Sequence, residues 1–201
     1  MRASQYGESD QIARHFGARI GRFLDIGAYD GITFSNTWPL ALSGWSGVCV
    51  EPAPGAFVAL MNNYQGNRLV QLVNVGLAPV AGLYQFWANA EAGGTDALSS
   101  FKHEHVKRFP HLPWREMWAY AVTWDTLLRT HEGPYQFINI DVEGMNPEIL
   151  TGLCDRIAIV QPEMVCVELD PAAETDWMKW KLERAGLSKQ EVVGGNLLAS
   201  K

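Results

Sequence analysis

The feature that most constrains this chain is a series of short, nearly unbroken apolar runs: FLDI at 23–26, GVCVE at 47–51, LVQLV at 69–73, FINID at 137–141 and MVCVEL at 164–169. A strand wetted on one face alternates apolar with polar residues. A run that is apolar throughout needs cover on both faces, as strands of a parallel sheet have under flanking helices. The intervening stretches suit crossover helices. In TFSNTWPLALSG, Phe34, Trp38 and Leu42 recur four apart, Ser35 or Asn36 can cap, Pro39 fits a first turn and Gly44 can end the helix. AFVALMNNY at 56–64 follows Pro54 and stops at Gly66. Strand, helix, strand, helix, strand predicts a Rossmann-like α/β fold, a mostly parallel sheet with helices on both faces.

The chain has 201 residues, 47% of them hydrophobic, which suits one domain over 1–201. A formal net charge of -6 argues against a surface that tracks phosphates, so no nucleic-acid partner is expected. Cys49, Cys154 and Cys166 are too scattered for a disulfide framework or a metal site and read as buried thiols. The first residues lack the apolar core of a signal peptide and no run is long enough to span a bilayer, so the expectation is a cytoplasmic protein with no membrane partner.

Between LYQFW at 83–87 and WDTLLRTH at 124–131, residues 88–121 show no clear periodicity. That segment is the expected substrate-facing insertion. His103 and His105 within it read as solvent-exposed loop residues. Trp114 and Trp118, four apart, read as a helix-spaced core pair or a platform for a sugar. Trp177 and Trp180, in AETDWMKWKLERAG, are expected to pack a late helix on the sheet. EVVGGNLLAS predicts a terminal hairpin through Gly194 and Gly195.

Three strand ends carry the chemistry. In FLDIGAYDG, Asp25 ends a strand and Gly27 and Gly31 turn the chain, leaving room for a ligand and a following helix with unpaired N–H groups. The spacing is not the GxGxxG of a dinucleotide site, and an acid there favours the ammonium of a methionine moiety over a pyrophosphate. Glu51 ends the next strand 26 positions after Asp25, where a carboxylate can accept both hydroxyls of a ribose. Asn74 ends the third and can meet an adenine. In INIDVEGMNPEIL, Asp141 and Glu143 follow a buried strand. They suit a general base, a hydroxyl-orienting group or a metal ligand, or they cap the helix near Asn146.

With these residues in view, the chain resembles the FkbM methyltransferase family. The resemblance runs through SQYGESDQIARHF at 4–16, FLDIGAYDGITFSNTWPLALSGWSGVCVEP at 23–52, VTWDTLL at 122–128, FINIDVEGMNPEIL at 137–150 and MVCVEL. It implies a class I methyltransferase fold, S-adenosylmethionine as donor, and O-methylation of a sugar, polyketide or other secondary metabolite. It carries onto Asp25, Gly27 and Glu51 as cofactor contacts and onto Asp141 and Glu143 near the reacting centre. Tyr29 departs from the usual Asn, Trp124 from Leu, and Asn146 from an acid.

The expected cofactor set is Gln5, Asp25, Gly27, Ala28, Tyr29, Gly31, Ser35, Asn36, Glu51, Pro52 and Asn74; the expected catalytic pair is Asp141 as base with Glu143 in support, and no metal ligand is assigned. Methyl transfer needs an aligned oxygen nucleophile and exclusion of water, and a carboxylate taking the hydroxyl proton helps by roughly 10²–10⁴. The competing readings are an NAD-dependent sugar-modifying oxidoreductase, opposed by the missing glycine and the lack of a Tyr-x-x-x-Lys pair, and a non-catalytic nucleoside-binding module.

Overall fold

The computed structural model describes residues 4–89, 98–169 and 174–201. The five apolar runs form the parallel part of the main sheet: β1 (Arg22–Ile26), β2 (Ser46–Val50), β3 (Val70–Val73), β7 (Phe137–Ile140) and β8 (Met164–Glu168). With β9 (Lys189–Val193) and β10 (Asn196–Ser200), the order is β3-β2-β1-β7-β8-β10-β9. The last two strands pair antiparallel through the turn at Gly194 and Gly195, as the hairpin signal predicts, and β10 runs antiparallel to β8. The edge strand β9 is largely polar and exposed, which blunts it against edge-to-edge pairing.

The reason the runs are apolar at every position is visible in the packing. Alternate residues divide between two clusters: Leu24, Ile26, Val48, Val50, Ile138, Ile140, Val165 and Val167 on one face, Phe23, Cys49, Phe137 and Cys166 on the other. The first face is covered by α5 (Trp124–Thr130), α6 (Asn146–Cys154) and α8 (Thr175–Arg184), through Leu127, Leu150 and Leu182. The second is covered by α1 (Glu8–Phe16), α2 (Trp38–Leu42) and α3 (Pro54–Asn63), through Phe16, Leu40 and Leu60. Thr123 caps α5 by accepting the N–H of Thr126, and Trp124 donates its indole N–H to the carbonyl of Ile149 at 3.0 Å. A Cβ at Gly152 would lie 2.3 Å from the Trp124 ring, so this glycine makes room for the bulky departure from Leu.

Two expectations are corrected outside the site. Residues 114–122 are not irregular. They form β6 (Trp114–Val122), paired antiparallel to β5 (Gly82–Asn89) and parallel to the short β4 (Gly76–Leu77) in a second sheet ordered β4-β6-β5. Trp114 and Trp118 therefore belong to a strand and not to a helix, and Trp118 is 61% exposed. Between these strands lies α4 (His103–Val106); residues 90–97 of the expected insertion fall outside the described residues. Trp177 and Trp180 do not pack α8 on the sheet; Met178 and Leu182 do, while the two indoles lie outward beside Lys181 and Arg184. All three cysteines are free, and Cys49 and Cys166 are buried. Among the described residues, no helix is long and apolar enough to cross a membrane.

Candidate functional site

The carboxyl ends of β1, β2, β7 and β8 open into one cavity of about 430 Å³, within the ~300–1,000 Å³ common for small-molecule sites. β1 lies between β2 on one side and β7 on the other, so the crevice sits where the strand order reverses, the usual ligand position in an open α/β sheet.

Of the expected cofactor residues, Gln5, Asp25, Gly27, Ala28, Tyr29, Ser35, Asn36, Glu51 and Pro52 line this cavity. Gly31 and Asn74 do not. The Asn74 amide instead donates to the main-chain oxygen of Glu51 at 2.8 Å and of Pro52 at 3.3 Å, bracing the tip of β2. Gly31 turns at φ 77 against the side chains of Leu60 and Tyr64.

Asp25 is the fourth residue of β1 and shares its face with Phe23, so its side chain lies in the buried layer. Its oxygens accept from the Thr37 hydroxyl at 2.6 Å and the Asn139 amide at 2.9 Å. Burial pushes its carboxyl above the ordinary range, against the pull of those two donors. Asn36 extends the knot by donating to Asn139, while its Oδ1 is buried with no hydrogen-bond partner among the described residues. Ser35 accepts the N–H groups of Thr37 and Trp38.

Glu51, just past β2, is 7% exposed. One oxygen accepts the Tyr29 N–H at 2.8 Å and the other the Ala53 N–H at 2.7 Å, so the carboxylate is aimed by backbone and keeps further lone pairs on both oxygens. Burial is the main cause raising its carboxyl to about 7, opposed by the two N–H groups. An orphaned acceptor at Asn36 and an oriented carboxylate at the β2 tip fit a nucleoside ligand bearing a cationic amino-acid tail.

At Gly27, φ is 86 and a Cβ would lie 1.7 Å from the carbonyl oxygen of Asp141, so the glycine lets the turns after β1 and β7 touch while it lines the cavity. The helix expected directly after it is absent: α2 begins at Trp38 and has five residues, leaving the cavity lip to a loop. In that loop Tyr29 and Phe34 adopt left-handed backbones, φ 51 and 57.

At the other end of the cavity Asp141 and Glu143 are joined by Glu168 from the end of β8. One oxygen of each lies within 4.8 Å of the others, a set of hard ligands of the kind a divalent cation takes. The motif at 138–150 supplies only two of these three acids, which is why spacing alone assigns no metal ligand. Burial, the charges of Glu168 and Glu143, and a hydrogen bond with Glu168 hold the Asp141 carboxyl well above the ordinary range. The N-cap position of α6 is Met145, which supplies no side-chain cap. Asn146 explains its own departure from the family pattern: it accepts the Val142 N–H at 2.9 Å and donates to Glu168 at 3.1 Å, where another acid would add a like charge.

Other residues here were not anticipated. Glu8, fully buried in α1, accepts from the Tyr6 N–H and the Asn196 amide and reaches the cavity from the N-terminal side. Val75, Leu77, Phe86 and Phe101 form an apolar wall. Glu168 did carry a signal, since it closes an apolar run as Glu51 does. His105 is not the solvent-exposed loop residue expected: it is 4% exposed, with Nε2 3.2 Å from a Glu143 oxygen.

With this geometry in place, residues 25–189 match the family model described as the methyltransferase FkbM domain. No curated protein sequence matches the chain significantly. Among solved structures, the human METTL16 N-terminal domain in complex with SAH superposes with a TM-score of 0.53 at 16% identity, covering 96% of this chain and 66% of that one. A ribosomal protein L11 methylase from Lactobacillus delbrueckii subsp. bulgaricus gives 0.51 at 11% identity, covering 96% and 75%. A precorrin-6y C5,15-methyltransferase from Geobacter metallireducens gives 0.50 at 15%, covering 96% and 87%. The chain spans 64% of the METTL16 methyltransferase domain, which it matches with a TM-score of 0.55. These structures share the class I methyltransferase fold, whereas the two acceptors named, ribosomal protein L11 and precorrin-6y, differ, so the fold does not choose the acceptor.

Proposed function

Because the chain belongs to the FkbM family of S-adenosylmethionine-dependent methyltransferases, we propose that it O-methylates a hydroxyl of a small, uncharged or cationic metabolite, such as a sugar, in the cytoplasm. The observation that carries this reading is that one cavity joins the Glu51 tip of β2 to the acids after β7 and β8. Glu51 would hold the ribose hydroxyls, with Tyr29 and Pro52 beside it. The knot of Asp25, Asn36 and Asn139 would bound the methionine end, and the wall of Leu77, Phe86 and Phe101 the base.

When bound, S-adenosylmethionine supplies a methyl group on a sulfonium that needs no further activation. What remains for the chain is to orient an oxygen, exclude water and receive a proton. Asp141 would accept the hydroxyl proton as the new C–O bond forms. Glu143 and Glu168 flank it. Phe101 and Leu98, from the segment between β5 and β6, would form the acceptor side of the wall.

The lining also bears on the acceptor class. Glu8, Asp25, Glu51, Asp141, Glu143 and Glu168 contribute six carboxyl groups, and no Lys, Arg or His is among the described lining residues. At the acceptor end, where Asp141, Glu143 and Glu168 gather, such a lining would disfavour phosphates and carboxylates. The family match does not favour an oxidoreductase or a non-catalytic module. Calorimetry with S-adenosylhomocysteine, followed by methyl-transfer assays on a panel of neutral methyl glycosides, amino sugars, simple polyols and sugar phosphates, tests the proposal. Binding with transfer to a neutral or amino acceptor supports it. Failure to bind the cofactor product, or preference for the phosphates, refutes it.

A further inference from the structure

Glu143 faces the cavity from a left-handed backbone, φ 45, which L-residues rarely adopt and which persists only where the surroundings fix it. Those surroundings are the segment 98–106. The Ser100 hydroxyl donates to the Glu143 carbonyl at 2.5 Å, and the Lys102 ammonium meets Glu148, in the first turn of α6, at 2.6 Å. A Cβ on Gly144 would come within 3.2 Å of the His105 Cβ, so the two backbones pack flush. The carboxylate itself is 14% exposed and lies beside two other acids, from which like charge would drive it away. His105 Nε2 lies 3.2 Å from its oxygen, at ion-pair distance but outside hydrogen-bond geometry, and is the polar atom that faces it from the segment 98–106. The imidazole is 4% exposed and leans on Phe109 with ring centres 5.3 Å apart, while His103 stacks on Trp87 of β5 at 4.9 Å and pins the other end of the helix.

We propose that His105 is a positioning residue: it docks the segment 98–106 onto the turn after β7 and fixes the Glu143 carboxylate at the acceptor end of the cavity. It does not line the cavity, so it acts through Glu143, and the same docking sets the wall made by Leu98 and Phe101. The inference rests on the proposed placement of the acceptor beside the acids after β7.

The test compares His105→Phe, which keeps a buried ring and loses Nε2, with His105→Gln, whose amide can reach the same oxygen. In protein saturated with S-adenosylhomocysteine, amide exchange over residues 142–146 should rise about tenfold in His105→Phe and return towards the parent in His105→Gln. With S-adenosylmethionine and the best acceptor of the panel above, kcat should fall about tenfold or more in His105→Phe with KM for the cofactor within about twofold, and His105→Phe should add nothing to Glu143→Gln. Unchanged exchange in His105→Phe, or additive losses in the double variant, overturns the proposal. If no acceptor of the panel is methylated, the proposed acceptor class falls, and the exchange experiment still decides whether His105 holds the turn. Loss of S-adenosylhomocysteine binding by the parent is read separately and refutes the proposed function itself.

Discussion

The two ends of the cavity solve the burial of acids in opposite ways. At the ends of β1 and β2, every oxygen of Asp25 and Glu51 accepts a hydrogen bond from the chain's own N–H or O–H groups. At the ends of β7 and β8, Asp141, Glu143 and Glu168 face one another, with Asn146 donating to Glu168 and His105 lying beside Glu143. The first arrangement is a rigid receptor whose shape exists before the ligand arrives. The second gathers three carboxyl groups where the proposed reaction would deliver a proton.

If the ends depend on each other, the contact between them is the place to break both. Gly27→Ala must clear a 1.7 Å overlap with the Asp141 carbonyl and hold a φ of 86, for a cost of about 3 kcal/mol or more. A variant that melts within a degree or two of the parent would show that the two turns are independent.

Next in size is the acid end alone. Asp141→Asn keeps the shape and removes the basic pair, so turnover should fall about 10²-fold or more while S-adenosylhomocysteine binds as before. Near-parental kcat in a folded variant would take the acid out of the proton path. If the three acids hold a cation instead, chelation should abolish activity and Mg²⁺ or Mn²⁺ restore it.

The receptor end should fail in binding rather than turnover. Glu51→Ala is expected to cost about 1.5–3 kcal/mol of cofactor-product affinity, the scale for hydrogen bonds to a charged group. Unchanged affinity by calorimetry would move the ribose elsewhere.

The smallest effect distinguishes the ends by pH. The Glu51 carboxyl titrates near 7 in the folded chain against 4.5 ordinarily, so the cofactor-free protein gains stability from it below about 4.5 and loses that gain as pH rises through 7. Only the ionised form accepts two ribose hydroxyls, so affinity should move the other way and strengthen over the same interval. Glu51→Gln should flatten both trends between pH 5 and 8; melting curves and titrations that keep the parent's slopes would assign them to other groups.

Much of the receptor end was legible in the sequence because its signals are local. An apolar run with an acid at its end fixes a strand tip, and Glu51 lies at one. The acid end was half legible: Asp141 and Glu143 lie in one motif, whereas Glu168 arrives from a neighbouring strand and Glu8 from the N-terminal helix through Asn196, 188 positions away. The strand at 114–122 was obscured for a different reason. Trp118 and Tyr120 are exposed aromatics opposite buried Ala119 and Ala121, so the alternation of size runs against the alternation of burial. His105 gave no local sign of burial, because what buries it is the turn after β7, remote from it in sequence.

The left-handed residues have a consequence for how the protein can change. Among the described non-glycine residues with positive φ, Tyr29, Phe34 and Glu143 line the cavity. Glycine or asparagine at those positions relaxes the backbone, so selection for heat resistance alone should enrich them there, with activity eroding at the same sites. Thermal robustness and activity then draw on the same few codons, and a variant library scored for both should show the trade most sharply at these three.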